Sequence, residues 1–241
     1  MGELKCEGIV LRYADYKDAD RMLTLLTPDC GIISVSAKGV RRQNAKLRYA
    51  AELFTYGNYM LSNKNGRYAL TGCVLKDSFY ALRESLEHMC AASAMLEMAS
   101  YAGIQQPQTE LFELLRGCLF TLCELKEQPK AVLLVFIARL LKISGYMPEI
   151  EYCVNCGEKA GYFLPGEGGI CPECSQTAGA AGLIRLESGT ADFIEGCVYS
   201  ESESFISQAE RGVIDNAYIL LIRHMQLCFE HQFKSAEYFI K

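Results

Sequence analysis

Histidine is scarce in this chain: three in 241 residues, at His88, His224 and His231. None has glutamate two positions later, which removes the H-x-E signature that zinc deaminases set ahead of P-C-x-x-C. The phosphate-cradling loops GxxxxGK-Ser/Thr and GxGxxG are absent too, so nucleotide-driven chemistry of those types finds no support. No run of eighteen apolar residues occurs, and no apolar stretch follows a basic start, so neither membrane spanning nor secretion is indicated. Paired carboxylates are plentiful, but solvated helix faces account for them. With no catalytic constellation, the expectation is a binding protein and not an enzyme, with neither a membrane nor a small-molecule partner.

Cysteine, by contrast, is present twelve times, a modest density for a chain of this length. Eight, such as Cys90, Cys118 and Cys123, lie mostly in apolar surroundings, which fits buried free thiols in a reducing cytoplasm. The other four read Cys153-Val154-Asn155-Cys156 and, after fourteen residues, Cys171-Pro172-Glu173-Cys174. Two thiolates separated by two residues can turn back onto one ion, and two such turns supply a closed tetrahedral zinc site. Unrelated core cysteines, disulfides or a redox pair are the alternatives, but two pairs at zinc spacing favour the metal. One structural Zn is therefore expected on Cys153, Cys156, Cys171 and Cys174. Gly161, Pro165, Gly166, Gly168 and Gly169 between the knuckles suit a short hairpin and oppose a helix.

The net charge of −5 hides an asymmetry. Residues 1–80 hold 12 Lys+Arg against 8 Asp+Glu, whereas residues 81–241 hold 12 against 21. The basic part reads as β: Gly8–Tyr13, Met22–Thr27, Ile32–Ala37, Leu53–Ser62 and Tyr68–Leu75, with turns between and a hairpin signal at Asn65-Gly66. Five strands in so short a span predict a small barrel, OB-like or SH3-like. From Phe79 the period becomes helical, over Phe79–Tyr101, Gln108–Glu127 and Lys130–Ser144, then again from Gly189 to Cys197 and Ile206 to Phe229. Ala131–Ile137 is apolar on every side, which places that helix inside a bundle. The expected architecture is thus a multidomain α+β chain: a barrel over 1–78, then a helical domain over 79–241 with an inserted zinc knuckle at 150–178. A low-complexity linker, Thr177–Gly182, follows the knuckle.

Between the third and fourth strands, Lys38, Arg41, Arg42, Lys46 and Arg48 fall within eleven residues that contain no acid. A connecting loop is exposed, and flexible cations suit phosphate contacts, which need charge more than fine geometry. The plainer account is a solvated connector. Tyrosines at 13, 16, 49, 56, 59 and 68 add candidate stacking surfaces for unpaired bases, though most can be packing residues. A second cationic feature lies between Glu127 and Glu149, which enclose no acidic residue. Val135, Arg139 and Lys142 share one helix side there, so an acidic partner tail can be accommodated. Snorkelling toward solvent or complementing the helix's own C-terminal dipole would explain the cations equally.

Several segments in this order resemble the RecO family of bacterial DNA repair and recombination mediators. They are Gly8-Ile9-Val10-Leu11, Leu25-Leu26-Thr27-Pro28-Asp29-Cys30-Gly31, Ala37-Lys38-Gly39-Val40-Arg41-Arg42, Gly145-Tyr146-Met147-Pro148, the cysteine knuckles and Lys234-Ser235. The resemblance spans essentially the whole chain; Ala19 stands where many members carry glutamate. It implies an OB-fold, a helical domain and a zinc knuckle in a protein of the bacterial cytoplasm, associated with the nucleoid. It also implies binding of single- and double-stranded DNA, annealing of complementary strands, and assistance to RecA loading on DNA coated by single-strand DNA-binding protein (the RecFOR pathway). RecR and the single-strand DNA-binding protein would be the protein partners. An RNA-binding protein of translation or ribosome assembly, and a zinc-dependent hydrolase, are the competing classes from the residues alone.

Overall fold

Strand formation in the first third of the chain follows from apolar residues that alternate between two faces. The computed structural model, which describes residues 2–177, 182–200 and 204–240, closes five strands into a barrel. They are β1 (Gly2–Tyr16), β2 (Asp20–Thr27), β3 (Gly31–Ala37), β4 (Tyr56–Lys64) and β5 (Arg67–Asp77). Their order is β1-β2-β3-β5-β4, with β4 pairing back to β1 and β3 running parallel to β5. This is the Greek-key arrangement of an OB barrel, which decides between the two expected barrel types.

β1 begins at Gly2, ahead of the expected Gly8, because pairing and not hydrophobicity makes it a strand. Gly2 to Ile9 pair with β4, Ile9 to Tyr16 pair with β2, and a bulge between Val10 and Arg12 bends the chain from one partner to the other. β4 starts later than expected. Phe54 is left-handed (φ 69°), and its neighbourhood bonds to Val10 instead: Phe54 N–H to the Val10 carbonyl at 3.2 Å, and Val10 N–H to that of Thr55 at 3.0 Å.

Val10, Leu23, Leu25, Ile33, Val35, Tyr59 and Leu61 fill the barrel. Each fully buried aliphatic side chain contributes about 1.5–3 kcal/mol relative to exposure. Ile9 and Leu11, on the other face of β1, are buried as well. α1 (Leu86–Ala102), capped by the Ser85 side chain, packs against β1. The stretch before it, Tyr80–Glu84, is a 3-10 turn rather than the start of a longer helix. α2 (Thr109–Glu124) adds Phe112 and Phe120 to an aromatic cluster with Tyr56 and Phe79. The chain accordingly divides into compact units at 1–123 and 124–241. The first two helices belong with the barrel, whereas a helical domain from residue 79 was expected, because the outer face of β1 is apolar and requires cover.

In the second unit, α3 (Pro129–Ile143) buries every residue from Ala131 to Ile137, as its uninterrupted apolar run requires. α5 (Thr190–Tyr199) and α7 (Arg211–Cys228) pack on it and on each other. The expected helix from Ile206 to Phe229 is two: α6 (Ser204–Gln208) stops, and Glu210 is extended before α7 starts. Between α3 and α5 lie the hairpin β6 (Tyr162–Leu164) and β7 (Gly168–Ile170), then α4 (Pro172–Thr177) and β8 (Ile184–Arg185), which pairs with β6. Most of the expected Thr177–Gly182 linker lies outside the described residues.

Candidate functional site

The basic loop leaves β3 at Ala37 and is held onto the barrel by its apolar members. Val40 is buried in the barrel core and Leu47 packs against it. Gly39 adopts φ 68°, which lets the Arg42 N–H close a turn on the Gly39 carbonyl at 3.2 Å. Four of its five cations face solvent. Lys38, Arg42, Lys46 and Arg48 are exposed and form no ion pair among the described residues.

Arg41 differs from them. Its backbone N–H bonds the Ala19 carbonyl at 3.0 Å, and its guanidinium lies 3.3 Å from Asp15 Oδ2 and 3.4 Å from the carbonyls of Lys17 and Asp18. Asp15 also receives Arg21 Nε at 3.2 Å. Arg21 in turn donates to the Ala51 carbonyl and to Glu52 Oε1, both at 2.9 Å, and lies 3.7 Å over the Tyr13 ring. Burial opposes the Arg21 charge, but the hydrogen bonds to Glu52 and Asp15 outweigh it and raise its pKa. Gly39 N–H, 2.7 Å from Asp20 Oδ1, completes the attachment. Asp15, Asp20, Arg21 and Glu52 were not singled out from the sequence; the charged turn between β1 and β2 was its only trace.

The tyrosines sort by burial. Tyr56 and Tyr59 are core residues, 5% and 0% exposed, and cannot stack on a base. Tyr68 packs against the barrel core and Tyr13 is covered by Arg21. Tyr16 and Tyr49 remain exposed, and Tyr16 sits in the same β1–β2 turn that receives Arg41.

In the second unit the four knuckle cysteines converge, all sulfurs within 4.8 Å of one another. The Cys156 sulfur is 3.6 Å from that of Cys171 and 3.7 Å from that of Cys174. A tetrahedron with metal–sulfur bonds of about 2.3 Å has edges of about 3.8 Å, whereas a disulfide requires about 2.05 Å. The donor set therefore fits a closed four-thiolate metal site and not disulfides. Backbone N–H groups, that of Cys171 foremost, hold the Cys153 thiol down to about 6, while hydrogen bonding to the Cys171 and Cys156 sulfurs pushes Cys174 up to about 12. Sulfurs this close cannot all be ionised without a cation between them.

The hairpin between the knuckles is anchored by a residue that sequence reasoning passed over. His224 on α7 accepts the Gly166 N–H at Nδ1 (3.1 Å), and its Nε2 lies 2.9 Å from the Tyr146 carbonyl. These partners select the neutral Nε2–H tautomer, and burial lowers the pKa.

The expected partner strip on α3 is not assembled as a surface. Val135 lies in the bundle interior, 7% exposed. Arg139 donates to the carbonyls of Cys197 (3.0 Å) and Ser200 (2.6 Å), so it satisfies the end of α5 rather than its own helix. Lys142 is exposed, its ammonium 4.0 Å from the centre of the exposed Tyr199 ring.

Fold and site together define an OB-barrel protein with an acid-free cationic loop and a second, helical unit carrying a four-cysteine knuckle. The family model "Recombination protein O N terminal" matches residues 1–79, and "Recombination protein O C terminal" matches 83–191. The chain is 27% identical to the DNA repair protein RecO of Acetivibrio thermocellus over 99% of its own length and 96% of the relative's. It is 37% identical to that of Dehalococcoides mccartyi (73% and 71% covered) and 34% identical to that of Bacillus pumilus (76% of each). The chain belongs to the RecO family of DNA repair proteins. No helix among the described residues is long and apolar enough to cross a membrane.

Proposed function

We propose that the chain is a non-enzymatic recombination mediator that binds single- and double-stranded DNA, anneals complementary strands, and assists RecA loading on DNA coated by single-strand DNA-binding protein. The observation that carries this reading is the basic loop. Lys38, Arg42, Lys46 and Arg48 are exposed and unpaired among the described residues, on a loop tied to the β1–β2 turn that carries the exposed Tyr16. Cations so arranged neutralise phosphates on either strand without reading sequence, which is what annealing needs. Tyr16 supplies a ring face for an unpaired base. On this reading the barrel, residues 1–78, is the DNA-binding part, and the helices of 79–241 follow it, the first two lying in the barrel's own compact unit.

The four-cysteine site holds one zinc ion as a structural element, since four sulfurs leave no position for water or substrate. RecR is the expected partner in the RecFOR pathway, acting in the cytoplasm at the nucleoid. For the acidic tail of single-strand DNA-binding protein we propose the exposed end of α3, where Lys142 and Tyr199 form a cation beside an aromatic ring. Arg139 and Val135 support that end from within.

The test is to mix labelled complementary strands with the protein, without nucleotide, across a series of salt concentrations. Annealing that is accelerated, and that fades as salt rises, is the expected result. Tight binding to structured RNA with no effect on DNA annealing would overturn the reading.

A further inference from the structure

Five cations occupy the basic loop, yet they are not in equivalent positions. Four are outside any ion pair among the described residues, whereas the Arg41 guanidinium is aimed back at the barrel, toward Asp15 and the carbonyls of Lys17 and Asp18. We propose that Arg41 is a positioning residue: with Asp15 and Arg21 it clamps the cationic loop so that its neighbours meet phosphate. This rests on the DNA-binding reading of the loop and divides the labour within it.

The clamp has two jaws. At the start of the loop, Gly39 bonds Asp20 and Arg41 bonds the β1–β2 turn, so Lys38 and Arg42 leave from a fixed base. At its end, Arg21 grips the Ala51 carbonyl and Glu52, one turn after Arg48. Asp15 joins the jaws, with one carboxylate oxygen on Arg21 and the other on Arg41. Arg21 is the inner member, with only 15% of its side chain exposed, against 36% for Arg41 and 49% for Asp15. Three acids at the base of the loop (Asp15, Asp20 and Glu52) are thus engaged by the clamp, and among the described residues none of them forms an ion pair with the four outward cations. A loop held in its binding conformation loses less entropy on meeting DNA, so pre-organisation appears as affinity without adding a phosphate contact.

Salt dependence separates this role from direct contact. Binding of a fluorescent oligothymidylate would be titrated at several NaCl concentrations with the full chain, each variant first checked by thermal melting. Arg42→Gln, which deletes a phosphate contact, should lower the slope of log K against log salt by about 0.7. Arg41→Gln should weaken binding about three- to tenfold at every salt with the slope unchanged. Arg41→Lys, which keeps the charge but not the forked geometry, should behave as Arg41→Gln does. Asp15→Asn is the sharpest arm: it removes a negative charge beside the loop, so simple electrostatics demands tighter binding, whereas the clamp demands weaker binding.

A slope loss of about 0.7 in Arg41→Gln, wild-type affinity in Arg41→Lys, or tighter binding by Asp15→Asn would each overturn the clamp while leaving the DNA-binding reading intact. Absence of salt-dependent binding by the wild-type chain would instead overturn that reading, and the clamp with it.

Discussion

The basic loop and the cysteine knuckle are both irregular segments, both crowded with one kind of polar side chain, and they are held in opposite ways. In the loop, apolar anchors and an ion-pair clamp lie at the base, and the charged groups turn out to solvent. In the knuckle the polar groups turn inward, four sulfurs converging on one point, and the hairpin between them is fixed to α7 by a neutral imidazole. On the proposed reading an outward array attracts a partner and leaves stability elsewhere, whereas an inward array that takes an ion becomes a source of stability itself. The clamp consists of partly exposed ion pairs, which salt screens. The knuckle depends on deprotonated sulfur and on uncharged His224, which acid attacks.

Breaking the knuckle should have the largest effect. Structural zinc contributes about 10–16 kcal/mol to the folding of small metal domains, so Cys171→Ser should unfold the segment from about Glu149 to Thr177 and lower the solubility of the chain. Hydrogen exchange should nevertheless find β1–β5 protected as in the wild type. Metal analysis of reduced wild-type protein should give one zinc per chain; clearly less would remove the inward array from the comparison.

Next comes the loop. Replacing Arg42, Lys46 and Arg48 together by Gln should flatten the salt dependence of single-strand binding by about two units. The melting temperature should hardly move, because none of the three makes an ion pair among the described residues. A large loss of stability would show the loop to be a structural element like the knuckle.

Acid sharpens the contrast by a smaller amount. The His224 pKa is lowered in the fold, so the unfolded chain binds the extra proton first. The stabilisation is complete above the unfolded value of about 6.5 and fades as pH falls through the lower folded value. Wild type should therefore lose stability between neutral and mildly acidic pH more steeply than His224→Gln. Melting curves for the pair that stay parallel across that range would rule out the imidazole as the acid-sensitive tether.

The smallest expected effect is the control. Arg116 pairs with Glu113 one turn earlier on α2, both side chains at least a third exposed. Arg116→Ala should change stability by less than about 0.5 kcal/mol and leave the salt slope unaltered. A flattened slope would extend the proposed DNA-contacting surface beyond the loop.

Much of this was legible in the chain. The convergence of the four cysteines, the hairpin between them, the interior position of Ala131–Ile137 and the basic loop all follow from spacing, turn residues and composition. What distinguishes one loop cation from the next did not. Arg41 and Arg42 are adjacent and chemically identical, yet one is committed to Asp15, twenty-six positions away. Tyr16 and Tyr59 are likewise indistinguishable in sequence, but one is half exposed and the other fully buried. Nor does the sequence announce that Arg139 serves the end of α5, or that α1 packs on β1 of the barrel. The physical reason is range. Two cysteines separated by two residues on a turn are brought together by local backbone geometry, and an apolar run carries its burial with it wherever it packs. Which face a side chain takes, and which distant charge it meets, depends on strand register and on the bulge in β1, and those are settled only when β1, β2 and β4 pair.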